Sequence, residues 1–286
     1  MKHIFENWRK FILEASSLDN SLKEGFYSAI MDSKFWQYPH KEEDVDLIDS
    51  TTFSTPAAEI LMDALNNASN SLGVDIYFIL SVTSDEEYTL EPDDEFGGYP
   101  NNWMMRGQYR GPERGKHIIW LELRPIGDQY KISDLDPEAL SKKISLTINH
   151  ELIHYEQLKK QAASKGISEE DAWHEMECDP EQVPVTDADA YRERCGREPP
   201  EPDDSRSRYL TRHIEVDAFA HEAAEELLNM YSKDEALGLI KAGNGGGSGI
   251  VSDYISVVGD NPDEIKKFWK KLYTQINLQS DSIPEL

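Results

Sequence analysis

The sequence predicts an α+β fold dominated by helices, with a small sheet on one side of a single long helix. Three observations carry this. Apolar residues recur every three to four positions through much of the chain, which is the period of helices buried on one face. Only two stretches, VDIYFILSVT and KHIIWLELR, concentrate β-branched and aromatic residues as strands do. After both comes a run from Asp136 to about residue 164 with no breaker beyond its opening proline, too long for anything but a helix.

Taken in order, the first 70 residues read as helices at 4–15, 22–35 and 57–68, with Pro56 placed for the first turn of the third. The strands follow at 74–83, after Gly73, and at 116–124, after a loop punctuated by Gly and Pro. Asp136-Pro137-Glu138 then combines an N-cap residue, a proline at the first helical position and an acid in the first turn, and so announces the long helix. Residues 179–207 change to Pro, Asp, Glu and Arg with few large apolar groups, and are expected to be an exposed acidic insertion. A strong helix resumes at RYLTRHIEVDAFAHEAAEELLNMY, where Leu210, Ile214, Ala218 and Ala224 can supply packing. Two further helices, around 234–241 and 262–278, flank the glycine run GNGGGSG. That run follows a helix and lacks a Gly-Lys-Ser/Thr ending, so it reads as a flexible connector, not as a phosphate cradle.

Composition excludes several function classes. The 29 basic residues face 55 acidic ones, and the net charge of −26 repels phosphate backbones and anionic lipid, so no nucleic-acid or membrane partner is expected. No stretch of about 18 uncharged apolar residues is present to form a transmembrane helix. The segment MKHIFENWRKFILEASS lacks the unbroken apolar core of a signal peptide, and a soluble protein of the cytoplasm is expected. Cys178 and Cys195 are too few for a disulfide framework. A single bridge between them stays open, as does a second metal site with His174, but two unpaired thiols are the simpler expectation. The acids of DLIDS and EPDDEFGG do not alternate as calcium-loop ligands do and read as solvated surface.

Inside the long helix lies TINHELIHYEQ. His150 and His154 fall one turn apart on one face, so both imidazoles can converge on one ion. Zinc takes neutral imidazole nitrogens and in catalytic sites keeps three protein ligands plus a water, which Glu151, adjacent to the first histidine, can deprotonate. A chance match to this pattern in a chain of this length is on the order of 0.02–0.03, so its placement in a helix and the presence of a third ligand matter. For that ligand Glu215, sixty-one residues after His154 and in the next strong helix, is the leading candidate. His213, Asp217, His221 and His174 are its rivals. A histidine six residues after His154 is absent, since that position is Lys160.

HELIH in a long helix followed by a glutamate in a second helix resembles the zincin metallopeptidases whose third ligand is glutamate, the gluzincins. The pairing of NHELIHYEQ with the E-x-D-A-x-A-H helix is also similar to metallopeptidases encoded by tailed bacteriophages. The likeness covers roughly residues 116–228. It implies a zinc peptidase with one ion held by His150, His154 and Glu215, Glu151 as general base, and a peptide or protein as substrate. It places the protein in the host cytoplasm or the virion. It also implies an edge strand beside the metal, for which 117–123 is the candidate, although an ordinary buried strand is the plainer reading of those residues. An oxyanion donor is required as well. Tyr209, Arg212 and His221 are eligible, with Tyr209 taken as the catalytic candidate. One departure is Phe219, where many gluzincins carry an aspartate four residues after the ligand glutamate. The expected organisation is an N-terminal helical region at 1–70, as a subdomain over the cleft, and a zincin-like domain at 71–286 bearing the insertion at 179–207. The alternative function is a non-catalytic metal-binding or virion-associated interaction protein that keeps the fold.

Overall fold

The computed structural model describes residues 20–37, 56–82, 103–113, 115–125, 137–178, 188–196, 210, 212–259 and 261–280. Helix α1 (Asn20–Met31), a 3-10 turn (Lys34–Gln37) and α2 (Pro56–Leu72) come first. Strands β1 (Ile76–Val82), β2 (Trp103–Glu113) and β3 (Lys116–Pro125) follow, and then the long α3 (Pro137–Lys165). Short helices α4 (Glu169–Glu177) and α5 (Ala188–Cys195) lead to α6 (His213–Met230), α7 (Lys233–Lys241), α8 (Gly249–Val258) and α9 (Pro262–Ser280). The architecture is α+β, mostly helical, with one small mixed sheet among the described residues. The helix expected at 4–15 and the N-cap Asp136 lie outside the described residues. No helix among them is long and apolar enough to cross a membrane.

The described residues fall into two compact units, 20–155 and 156–280, and α3 runs from the first into the second. In the first unit the strand order is β1-β3-β2. The strand expected at the sheet edge, 117–123, is instead the central one. It pairs with β1 in parallel through Ile76↔His117 to Val82↔Leu123, and with β2 in antiparallel from Trp103↔Pro125. Two-sided burial explains its continuous apolar run, with Ile119 and Leu121 fully buried. The edge strand that sequence reading missed is β2. Gly107, Gly111 and Pro112 read as loop punctuation, yet Gly111 at φ 70° and Pro112 sit at a register shift, where a bulge tolerates them.

Helix α2 closes the outer side of β1. Its Asn66 carboxamide accepts from Phe78 N–H at 2.8 Å and donates to Phe78 C=O at 3.1 Å, and so replaces a neighbouring strand at that residue. Ser69 Oγ adds a 2.5 Å hydrogen bond to the Ile76 carbonyl. Phe26 of α1 meets Phe78 edge to face at 4.9 Å, completing an apolar layer with Ile30, Leu61 and Leu65.

The second unit is built around α6. Ala220, Ala223 and Ala224 present so little bulk that α9 packs closely, with Phe268, Leu272 and Ile276 fully buried. Tyr254 of α8 stacks on Phe268 at 4.0 Å in the same core. Sequence reading missed α8, because GIVSDYISVV is rich in β-branched residues. Burial of Val251, Tyr254 and Val258 and the Ser248 N-cap outweigh that weak preference. The glycine run before α8 is a capped turn. Glu226 accepts from Ser248 Oγ at 2.5 Å and from the Gly249 and Ile250 amides at 3.4 and 3.3 Å, so a carboxylate of the chain itself takes the donors that an anion would use.

Cys178 and Cys195 form a disulfide, against the expectation of two free thiols. It ties α5, which lies within the stretch expected to be an exposed acidic insertion, to the end of α4. Tyr191 adds a 2.9 Å hydrogen bond from its hydroxyl to the Cys178 carbonyl. Sequence alone does not reveal that two thiols a short loop apart are held face to face. With its sulfurs paired, this cluster offers no thiolate for a second metal site. Closing a loop across 17 positions restricts the unfolded chain. Replacing both cysteines with serine is therefore expected to lower the unfolding free energy by about 2–4 kcal/mol, measured as a reduced urea midpoint with a steeper slope, because the unbridged unfolded chain exposes more surface.

Candidate metal centre

Every residue of α3 from Leu146 to Tyr155 is buried, although the stretch includes Thr147, Asn149, His150, Glu151 and His154. A helix buried all round is normally apolar, because each polar group taken from water needs a partner. Apart from Asn149, which falls on the opposite face, the polar residues here sort onto two adjacent stripes. Thr147, Glu151 and Tyr155 repeat at four-residue spacing and form one, and His150 and His154 form the next, about 100° round the helix axis.

The Glu151 stripe meets β2. The backbone N–H of Tyr109 donates to Glu151 Oε2 at 2.6 Å. Gly107 lies so close that a Cβ there would stand 2.5 Å from Glu151 Oε1 and 2.6 Å from Thr147 Cγ2. That near approach is the reason for a glycine in the middle of a strand. Because the Tyr109 amide points at Glu151 and away from β3, Tyr109↔Ile119 is a non-hydrogen-bonded pair, and two residues earlier Gly107 shares its orientation.

On the second stripe the His150 and His154 rings stand 5.1 Å apart at 75°. Their donor nitrogens and a carboxylate oxygen of Glu215 all lie within 4.8 Å of one another, and all three residues are buried. Glu215 occupies the first turn of α6, where the helix dipole favours a negative charge. Gln157, one turn beyond His154, donates to the Ile214 carbonyl at 3.1 Å and so fixes the start of α6 against α3. The buried residues also include Glu222, seven positions after Glu215 on the same side of α6, and Arg212 at its N-cap. Neither Glu222 nor Asn149 stands out in the sequence, because nothing in a lone polar residue of an acidic helix announces burial.

Three of the four rival ligands have other surroundings among the described residues. Asp217 pairs with Lys271 at 2.6 Å, His221 Nδ1 faces Gln275 Oε1 at 3.3 Å, and His174 is exposed beside Cys178. Phe219, at the position where gluzincins carry aspartate, packs against the core of α6 with its ring 6.4 Å from Tyr254. Tyr209 lies outside the described residues, and His213 begins α6.

The donor set fits a divalent ion. Two imidazoles and one carboxylate are the ligand types of open zinc sites, and donors about 2.0–2.2 Å from a tetrahedral centre lie about 3.3–3.6 Å apart, so three donors within 4.8 Å of one another reach that spacing by side-chain movement of about 1 Å. Comparison with known protein families, with curated proteins and with solved structures finds no match for this chain. The site therefore rests on its own geometry.

Two outcomes are expected. Metal-free protein takes up about one equivalent of zinc, and saturation at about 100 Kd raises its stability by about 2.7 kcal/mol in thermal denaturation; His150→Ala or His154→Ala removes both effects. Gly107→Ala destabilises by about 1–3 kcal/mol through contact with Glu151 and Thr147, read from the urea midpoint, while the open helical position of Gly238 gives no such clash.

Proposed function

We propose that this chain is a zinc-dependent peptidase of the gluzincin kind, in which His150, His154 and Glu215 hold one ion and Glu151 is the general base. The observation that carries the reading is the meeting of those three donors, two from one turn of α3 and one from the first turn of α6. When bound, zinc would lower the pKa of a coordinated water to about 7 and polarise a carbonyl. Glu151 is next to the first ligand and its Oε2 is engaged by the Tyr109 amide. Its carboxylate is the group that would accept the proton of attacking water and pass it to the leaving amine. The outer edge of β2 beside Glu151 suits an extended peptide better than β3, both of whose sides are paired. The Cys178–Cys195 disulfide favours a working place more oxidising than the cytoplasm expected from the sequence.

The decisive variant is Glu151→Gln. It keeps the side-chain length and an acceptor for the Tyr109 amide, so zinc remains bound at one equivalent. Peptide hydrolysis by the zinc-loaded protein, followed with a mixed peptide library and mass spectrometry, falls by about 10²–10⁴-fold. Unchanged turnover would remove the mechanism. Zinc uptake with no hydrolysis by the unaltered protein would favour a metal-binding interaction protein.

A further inference from the structure

The side chains of two buried polar aromatic residues beside the motif have no role in the reading above. The Tyr109 hydroxyl and His117 Nδ1 share a 2.6 Å hydrogen bond, and the two rings are nearly parallel at 15° with centroids 6.0 Å apart. Tyr155, on the same stripe of α3 as Glu151, packs edge-on against His117 at 4.7 Å and against Tyr109 at 6.4 Å. All three residues are buried. A phenylalanine and an aliphatic residue would fill this volume without taking a hydroxyl and an imidazole from water, a transfer that costs stability unless the two satisfy each other.

What the pair holds is the strand position that touches Glu151. Tyr109 is the residue whose amide donates to the carboxylate, and the β2–β3 register shifts directly after it, between Tyr109 and Pro112, with Gly111 in the left-handed region. Ladder hydrogen bonds that ordinarily set the direction of a strand amide are interrupted at such a bulge. The side chain of Tyr109, anchored to the central strand through His117, supplies the missing constraint.

We propose that Tyr109 and His117 are a positioning pair for Glu151. Their hydrogen bond fixes the bulged end of β2, so that the Tyr109 amide holds Oε2 and Oε1 is kept in one place over Gly107. The effect on turnover rests on the hydrolytic reading, whereas the effect on the amide belongs to the metal-free chain and is read separately.

The test uses Tyr109→Phe, His117→Phe and the double variant. In metal-free protein, amide hydrogen exchange followed by NMR is expected to quicken at residue 109 by about tenfold in each variant, the loss of one hydrogen bond's worth of restraint, and to stay unchanged at Ile119. In zinc-loaded protein, kcat is expected to fall about tenfold at unchanged KM and unchanged zinc content. The double variant should be no slower than the slower single one, because all three lack the same bond. Unchanged exchange at residue 109, or faster exchange at Ile119 as well, would overturn the proposal. So would kinetic losses that multiply or fall on KM. If the unaltered protein hydrolyses no peptide, the peptidase reading fails and the exchange measurement still decides the positioning.

Discussion

Ten consecutive residues of α3 are buried, and half of them are polar. Each hydroxyl, amide, imidazole and carboxylate withdrawn from water must be met by a partner or else cost stability comparable to a large share of the whole. This requirement organises the surroundings of the helix. One stripe obliges a strand to pass with its backbone bare, and the next obliges a carboxylate to stand at the start of another helix.

The strand's irregularities follow from that obligation. Gly107 gives up a side chain so that the backbone can approach Glu151, and the bulge beyond Tyr109 turns the strand where its ladder to β3 breaks. Around α6, alanines on one side admit α9 at short range, and the first turn of the same helix carries Glu215. Rigidity of both supports matters, because a donor set held on regular elements keeps its geometry without help from loops.

Legibility in the sequence tracked regularity. The long helix and the spacing of His150 and His154 follow from a 3.6-residue period that nothing interrupts, and Glu215 could be named with them because the second helix was equally plain. β2 was hidden by the glycines and proline that its position demands, a place where local preference and tertiary need conflict. Without β2 in view, the central place of β3 could not be recognised. The pairing of Cys178 with Cys195 depends on where α4 and α5 end in space, and no local pattern encodes that. The burial of Tyr109 and His117 was obscure for the same reason, since two polar aromatics on different strands show no joint periodicity.

The Asn66 carboxamide has a consequence for the sheet as a whole. A strand at a sheet margin is a template on which a foreign chain can assemble, and proteins commonly guard against this with charges or prolines. Here a side chain from α2 satisfies both main-chain groups of Phe78, so at that residue β1 offers no hydrogen bonds for recruitment. Addition of a further strand is thereby opposed at Phe78 by an amide that imitates a peptide bond.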